Sequence, residues 1–156
     1  MVAKDIMTTD FPYVRPDTVL ADAQDVLFKS GTLLVPVIGE DGCPCGVLLE
    51  ADLLRAVLPK FLDSLASLNF LPESCSLYDV DIKVEQMTVD EIIEERTLHT
   101  IEEDTRLVQI AHIFVTKKIA AVGVVRDDSV IGMVHRRDLV EHIFEHTLCE
   151  VEYDDE

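Results

Sequence analysis

The strongest constraint on the fold is that the sequence contains the same unit twice. The segment Asp17-Thr18-Val19-Leu20 returns as Asp104-Thr105-Arg106-Leu107, and residues 34–38 return as 121–125, both displaced by 87 positions. Residues 46–53 return as 132–139 after 86 positions, so the second copy has lost one residue in the preceding turn. Two units are too few for a solenoid, which needs about three. We therefore expect a pseudo-symmetric pair of repeats that pack face to face, with a functional cleft between them.

Each repeat predicts the order strand, helix, strand, strand, helix. In the first repeat these are residues 12–15, 19–28, 33–38, 46–49 and 51–58, with Thr18 as the helix cap and Gly31 as its end. In the second repeat they are residues 97–101, 106–118, 120–125, 130–134 and 136–147, with Asp104 and Thr105 capping. The strands are continuously apolar, which is typical of strands covered on both faces. The pattern therefore predicts an α/β (α+β) fold of two packed β-α-β-β-α repeats.

The repeats divide the chain into four segments. We expect a first repeat at 1–58, a partly helical linker at 59–87, a second repeat at 88–147 and an acidic tail at 148–156. The linker begins with closely spaced apolar residues, which predict a helix near 61–68 that packs on the protein or on a partner chain. The tail is rich in acids, is interpreted as a solvated segment, and receives no function.

Charge and hydropathy exclude several classes of protein. The net charge is −18, with 11 acidic and 5 basic residues in 1–78 and 20 acidic and 8 basic residues in 79–156. Such a surface repels phosphate backbones, so a nucleic acid is not an expected partner. The chain is 48% apolar without a run of roughly 18–20 apolar residues, so no membrane partner is expected. With no visible leader peptide, we expect a cytoplasmic protein.

Two small groups of cysteine and histidine residues have metal binding as an alternative to a purely structural role. Four cysteines in an intracellular chain do not indicate a disulfide framework. Cys43 and Cys45 lie in a turn between two strands, and a metal or redox role is the alternative to turn chemistry. His142 and His146 stand four residues apart on one helix, with Cys149 one turn further. A solvated polar face is favoured there, a metal site is the alternative, and we assign no metal ligand.

The ordered features of both repeats together resemble a tandem CBS (cystathionine beta-synthase) domain pair of the Bateman type. They are an acidic lead-in ending in Ile-Met or Ile-Ile, an apolar strand, and a Gly-x-x-x-x-x-Asp-Leu close, and they cover residues 2–57 and 89–144. The resemblance implies a flat regulatory module that dimerises into a disk and binds an adenosine-containing ligand such as AMP, ADP or ATP between the repeats. It implies neither catalysis nor a required cofactor.

The resemblance also implies two ribose-binding aspartates, Asp52 and Asp138. An ionised carboxylate can accept hydrogen bonds from both vicinal hydroxyls of a ribose. The alternative for each is a plain helix cap, since both begin a helix. Family members carry a hydroxyl residue three positions earlier, where this chain has Leu49 and His135. Leu49 offers no polar group and His135 does, so the second repeat is the better candidate.

The entry to each apolar strand is the position where the resemblance implies contact with adenine. These residues are Thr32, Leu33 and Leu34 in the first repeat and Ile119, Ala120 and Ala121 in the second. Plain core is the favoured alternative for the leucines, whereas the two alanines leave room for a base. The resemblance places a phosphate-binding cation at Lys118, with Arg136 and Arg137 as further candidates. The alternative for all three cations is an ordinary solvated side chain.

The sequence leaves two functions in competition. The first is a regulatory sensor of an adenosine-type ligand that signals to a protein client. The second is a dimerisation or scaffold module without a ligand, which the missing hydroxyl residues at positions 49 and 135 favour. We do not expect an enzyme, because the chain lacks a glycine-rich phosphate loop, a nucleophile elbow and a dense set of metal ligands.

Overall fold

The computed structural model describes residues 1–58, 83–93 and 96–151, which form two units with separate cores. The helices are α1 Ala3–Ile6, α2 Leu20–Ser30, α3 Glu50–Val57, α4 Lys83–Gln86, α5 Val89–Ile92, α6 Leu107–Lys117 and α7 Arg136–Val151. The strands are β1 Leu34–Ile38, β2 Pro44–Leu49, β3 Thr100–Glu102, β4 Ala121–Arg126 and β5 Ser129–His135. The mixed helix and strand class predicted from the repeats is confirmed.

The first-repeat unit contains the described parts of residues 12–39 and 45–97. Its sheet joins β1 and β2, and all five residues of β1 are buried. The helix α2 buries Leu20, Ala23 and Leu27, which recur at helical spacing, and packs them against this sheet. Gly31 ends α2 in the left-handed conformation, at φ 66°, as the sequence predicts.

The second-repeat unit contains residues 1–11, 40–44 and the described part of 98–156. Its sheet has the order β3, β4, β5, in which β3 is parallel to β4 and β4 is antiparallel to β5. The core lies between this sheet and the helices α6 and α7, and is built around Ile110, Phe114, Val124 and Leu139. The tight β4–β5 turn is made by Asp127 and Asp128, both at positive φ.

The lead-in segments are exchanged between the repeats. The backbone N–H of Ala3 donates to Thr105, and the equivalent N–H of Val89 donates to Thr18, at 2.8 and 2.9 Å. Both Ala3 and Val89 are fully buried in these positions. Each unit therefore takes its lead-in helix, α1 or α5, from the other repeat.

The strand predicted at residues 12–15 is wrong, because only Val14 pairs with β1. The N–H of Val14 donates to Pro36, and the N–H of Ile38 donates to the carbonyl of Val14. The next bonds of this parallel ladder would need N–H groups on Pro16 and Pro36, which prolines lack. The ladder therefore stops after one residue, whereas β3 continues for three.

Several predicted helix ends also need correction. The cap of α2 is Val19 instead of Thr18, whose hydroxyl accepts from the N–H of Arg15 at 3.0 Å. The cap of α6 is Arg106 instead of Asp104 or Thr105, and the side chain of Gln109 accepts its N–H. Helix α7 continues through Val151, beyond the predicted end at 147. The predicted helix at 61–68 and the tail residues 152–156 lie outside the described residues.

Across the described ranges, no helix combines the length and the apolar content that a membrane span requires.

Candidate functional site

The aspartate of the first repeat, Asp52, is fully buried and fully engaged by its own chain. It occupies the third position of α3, where its Oδ2 accepts the N–H of Leu49 at 2.8 Å. Its Oδ1 pairs with Arg55 Nη1 at 3.1 Å and with Nη2 of Arg96. Both oxygens of this buried carboxylate already accept hydrogen bonds, from one backbone N–H and two guanidinium groups, so neither oxygen faces solvent. The structure therefore gives Asp52 a capping and ion-pairing role.

Arg96 reaches Asp52 because Gly46 lets the chain pass close to β2. A side-chain carbon at position 46 would lie 3.2 Å from the carbonyl oxygen of Arg96 and 3.1 Å from Ile93 Cδ1. Gly46 also has φ 158°, a backbone conformation that residues with a side chain rarely adopt, so a substitution here would be both crowded and strained. The Nε of Arg96 is buried and has no hydrogen-bond acceptor among the described residues. The sequence did not predict the role of Arg96, because no local pattern indicates that residues 44 positions apart form an ion pair.

The equivalent aspartate of the second repeat, Asp138, is accessible. It lies in the first turn of α7, and its side chain is 45% exposed. The Nδ1 of His135 lies 3.5 Å from Asp138 Oδ2, and the His135 side chain is 18% exposed. This pair combines a carboxylate that can accept hydrogen bonds with an imidazole that can donate one. It has the composition of a small polar ligand site.

The strand entry of the second repeat lies directly beside this pair. Ala121 opposes His135 in the β4–β5 ladder. The carbonyl of Ala120 accepts the backbone N–H of Arg136 at 2.8 Å, which joins the start of β4 to the start of α7. Ala121 is buried, whereas Ile119 and Ala120 are half-buried. The structure thus brings the predicted adenine-contacting and ribose-contacting positions of this repeat together.

Two of the three predicted cations lie in one groove. Lys118 ends α6 in the left-handed conformation, at φ 54°, the position that glycine holds at the end of α2. Lys118 and Arg136 line a groove of about 340 Å³ between α6 and α7, together with apolar side chains such as Phe114, Leu139 and Val140. This volume falls at the lower end of the range for small-molecule pockets.

Arg137 lies apart from this groove and is exposed in the first turn of α7. A cation at this end of a helix gains nothing from the helix dipole, whose N-terminal end is positive. An ordinary solvated side chain therefore describes Arg137 as the structure shows it.

The strand entry of the first repeat is arranged differently. The hydroxyl of Thr32 donates to the carbonyl of Leu34 at 2.8 Å and lies 2.9 Å from the hydroxyl of Ser30. Leu34 is buried in the core, as the core interpretation expects. Leu33 is 64% exposed, so that interpretation is wrong for Leu33. The difference arises because β1 begins at Leu34, leaving Leu33 outside the sheet.

Cys43 lies in the turn before β2, as predicted, whereas Cys45 lies in β2 itself. Neither cysteine forms a disulfide with another described residue. The carboxylate of Asp41 accepts the backbone N–H of Cys43 at 3.0 Å, and this bond, with a second from the Cys43 thiol, holds the pKa of Asp41 below its ordinary value. In the part of the chain that the structure describes, no three His, Cys, Asp or Glu side chains are grouped to hold a metal ion.

Comparison with known proteins gives a family match and several structural relatives. The sequence profile described as CBS domain matches residues 3–59 and 85–145. No curated protein matches the chain. A CBS domain-containing protein of unknown function from Kribbella flavida aligns with TM-score 0.77 at 23% identity, over 92% of this chain and 99% of its own.

Two other solved structures share the same architecture. A putative acetoin utilization protein, AcuB, from Vibrio cholerae aligns with TM-score 0.71 at 18% identity, over 100% of this chain and 98% of its own. CBSX2, solved in complex with AMP, aligns with TM-score 0.69 at 22% identity, over 94% of this chain and 98% of its own. These TM-scores establish a shared fold that spans both repeats.

Proposed function

Since the chain belongs to the CBS domain family and carries the domain twice, we propose that it is a regulatory module that binds an adenosine-containing ligand at its second repeat. The observation that carries this proposal is the contrast between the two equivalent aspartates. Asp52 is fully buried and held by Leu49, Arg55 and Arg96, whereas Asp138 keeps a carboxylate that is 45% exposed. The second repeat can thus receive a ribose, and the first repeat has already satisfied its carboxylate internally.

The residues of the second repeat supply hydrogen-bonding groups for a ribose and space for a base. Asp138 accepts hydrogen bonds from the ribose hydroxyls, and His135, at 3.5 Å from it, donates to ribose or phosphate. Ala120, which is half-buried, gives space for the flat base at the strand entry, whereas Ala121 is buried. Lys118 lines the groove between α6 and α7, whose lining includes neither Asp138 nor His135, so it is not assigned to this ligand. The AMP complex of CBSX2, a structural relative, supports a ligand of this class.

The module acts by a shift in its conformational equilibrium and not by catalysis. CBS domains are generally regulatory, and we assign the chain no chemical step. A ligand can shift the equilibrium only by the difference between its affinities for the two states. The protein client reads that shift, and we place the protein in the cytoplasm, where adenine nucleotides are abundant.

A thermal-unfolding panel tests the proposal with AMP, ADP, ATP, adenosine, S-adenosylmethionine and cyclic di-AMP. At a ligand concentration 100 times Kd, binding stabilises the native state by about 2.7 kcal/mol, which raises Tm by roughly 5–10 °C for a chain of this size. We expect this shift for at least one ligand in the wild type and none in Asp138→Ala. Glu141→Ala, which removes an exposed carboxylate from the same helix, should retain the full shift. An equal shift in Asp138→Ala would refute the assigned site.

A second function, self-association without a ligand, is favoured by an exposed apolar surface on the helices. On α6 and α7, Val115 is 75% exposed and Val140 is 49% exposed. Their counterparts in the first repeat, Phe28 and Leu54, are 63% and 56% exposed. Because both repeats keep a large apolar residue at the same exposed position, we propose a second copy of this chain as the partner that covers them.

A further inference from the structure

Two histidines lie on α7 one and two helical turns beyond Asp138, and a methionine side chain lies beside them. His142 and His146 stand four residues apart, and their ring centroids are 4.5 Å apart. The thioether Sδ of Met1 lies 3.3 Å from Nε2 of His142. Two imidazoles and a thioether therefore meet at one place on the surface of the second-repeat unit, and the proposed nucleotide function uses none of them.

We propose that Met1, His142 and His146 form a binding site for Cu(I). Residues at i and i+4 face the same side of a helix, so two imidazoles at this spacing can chelate one ion. Neutral imidazole and thioether are both suitable ligands for Cu(I), and thioether sulfur is a soft ligand that selects it. The chemistry of the three side chains thus indicates a soft monovalent metal.

The distance between sulfur and nitrogen suits two ligands of one ion. Metal bonds of about 2.0 Å to nitrogen and 2.3 Å to sulfur, as zinc sites show, place the two ligand atoms about 3.5 Å apart at a tetrahedral angle. The observed 3.3 Å between Met1 Sδ and His142 Nε2 is within a few tenths of an ångström of that separation. Only a small side-chain adjustment is needed to admit the ion.

The surroundings of the cluster also favour a cation. Glu141 and Glu145 are exposed on the same helix, beside the two histidines. The chain as a whole carries a net charge of −18. Such a surface raises the local concentration of cations. His142 is half-buried and His146 is exposed, so an ion can reach the imidazoles from solvent.

Nuclear magnetic resonance of the full chain tests the site directly. Protein labelled with methyl-¹³C methionine should give four methyl signals, and Cu(I) is added anaerobically as its acetonitrile complex. We expect the Met1 methyl and the imidazole signals of His142 and His146 to shift together and to saturate together. The methyl of Met133, which is 1% exposed, should not move.

Two variants decide between a site and incidental contact. In His142→Ala/His146→Ala the Met1 methyl shift should disappear, whereas in His112→Ala, which removes an exposed histidine from α6, it should persist. A Met1 shift that survives in the double variant overturns the proposal, as does uptake of Cu(I) by cysteines without any Met1 shift. Zn(II), which takes thiolate, imidazole or carboxylate ligands, should leave the Met1 methyl unmoved, and an equal shift with Zn(II) contradicts the assigned metal class.

Discussion

The equivalent aspartates of the two repeats have different neighbours and therefore different roles. Asp52 and Asp138 hold corresponding positions in the first turns of α3 and α7. Asp52 is drawn into the protein by Arg55 and Arg96, whose charges are satisfied by the same oxygen. Asp138 faces a histidine instead and stays partly in solvent. The divergence depends on the neighbours, since the two aspartates themselves are identical.

This divergence predicts that alanine substitution lowers stability much more at Asp52 than at Asp138. Asp52→Ala leaves two guanidinium groups without their carboxylate, and because Arg55 and Arg96 are 36% and 31% exposed, we expect a loss of about 3 kcal/mol, the lower end of the range for a broken buried pair. Asp138→Ala removes only a favourable charge at a helix start and should cost about 0.3–1 kcal/mol. Urea unfolding of both variants measures this difference. Equal losses would show that Asp52 is not structural.

At the scale of elements, β3 and β4 are joined by hydrogen bonds and by an ion pair at their end. Glu102 opposes Val125 at the end of the parallel ladder, and the next residues along the chain are Glu103, just beyond β3, and Arg126, the last residue of β4. There Arg126 Nε donates to Glu103 Oε1 at 3.1 Å, and Nη2 pairs with the second oxygen. The hydrogen bonds from Arg126 hold the pKa of Glu103 below its ordinary value.

The lowered pKa predicts how the pair depends on pH. Because the pKa of Glu103 is lower in the folded state, the pair stabilises the protein above the unfolded value of about 4.3, and this contribution is lost as pH falls through the folded value. Arg126→Gln should therefore lower Tm near neutral pH and make progressively less difference below about pH 4.3. The two Tm profiles can be recorded by circular dichroism. A gap between wild type and variant that persists in strong acid would contradict the assignment.

Most elements could be predicted from the sequence because their signals are local. The helix α2 follows from apolar spacing and Gly31, and β1 and β4 follow from continuous apolar runs. The predicted strand at residues 12–15 is wrong because its ladder ends where prolines lack the N–H groups for the next hydrogen bonds, which the hydropathy pattern does not indicate. The exchange of α1 and α5 between repeats could not be predicted, since it depends on contacts distant in sequence.

In the candidate site too, some features follow from local sequence and others depend on residues distant in the chain. The position of Asp138 beside His135 follows from local sequence, because His135 immediately precedes α7 and Asp138 is the third residue of that helix. The burial of Asp52 does not, because it depends on Arg96, which arrives from 44 residues away and passes beside Gly46. Sequence reasoning preferred the second repeat from the residues at positions 49 and 135. The structure adds a separate reason, the occupied carboxylate of the first repeat.

At the scale of the whole molecule, the exposed apolar side chains bear on assembly. Val115, Val140, Ile143 and Phe144 are 44–75% exposed on α6 and α7. Contiguous apolar surface of this kind is often an interaction site. A stable interface buries about 800 Å² on each partner, so the groove between these helices would form its centre and the surrounding residues its rim.

Sedimentation velocity tests this assembly. We expect the wild type to sediment as the proposed dimer at micromolar concentration. Val140→Asp places a charge in the lining of the groove, and because burying an unpaired carboxylate is costly, we expect this variant to sediment as a monomer. Thr116→Asp adds the same charge on α6 outside the groove lining and should leave the dimer intact. A wild-type protein that is monomeric throughout would contradict the proposed self-association.

We propose that the second repeat binds the nucleotide and that the first is closed by its own side chains. Isothermal titration of AMP into the wild-type chain and into Asp138→Ala distinguishes these two repeats, because the stoichiometry counts the sites. We expect one AMP per chain in the wild type and no binding in Asp138→Ala. Two AMP per chain, or one that binds Asp138→Ala with unchanged affinity, would contradict it.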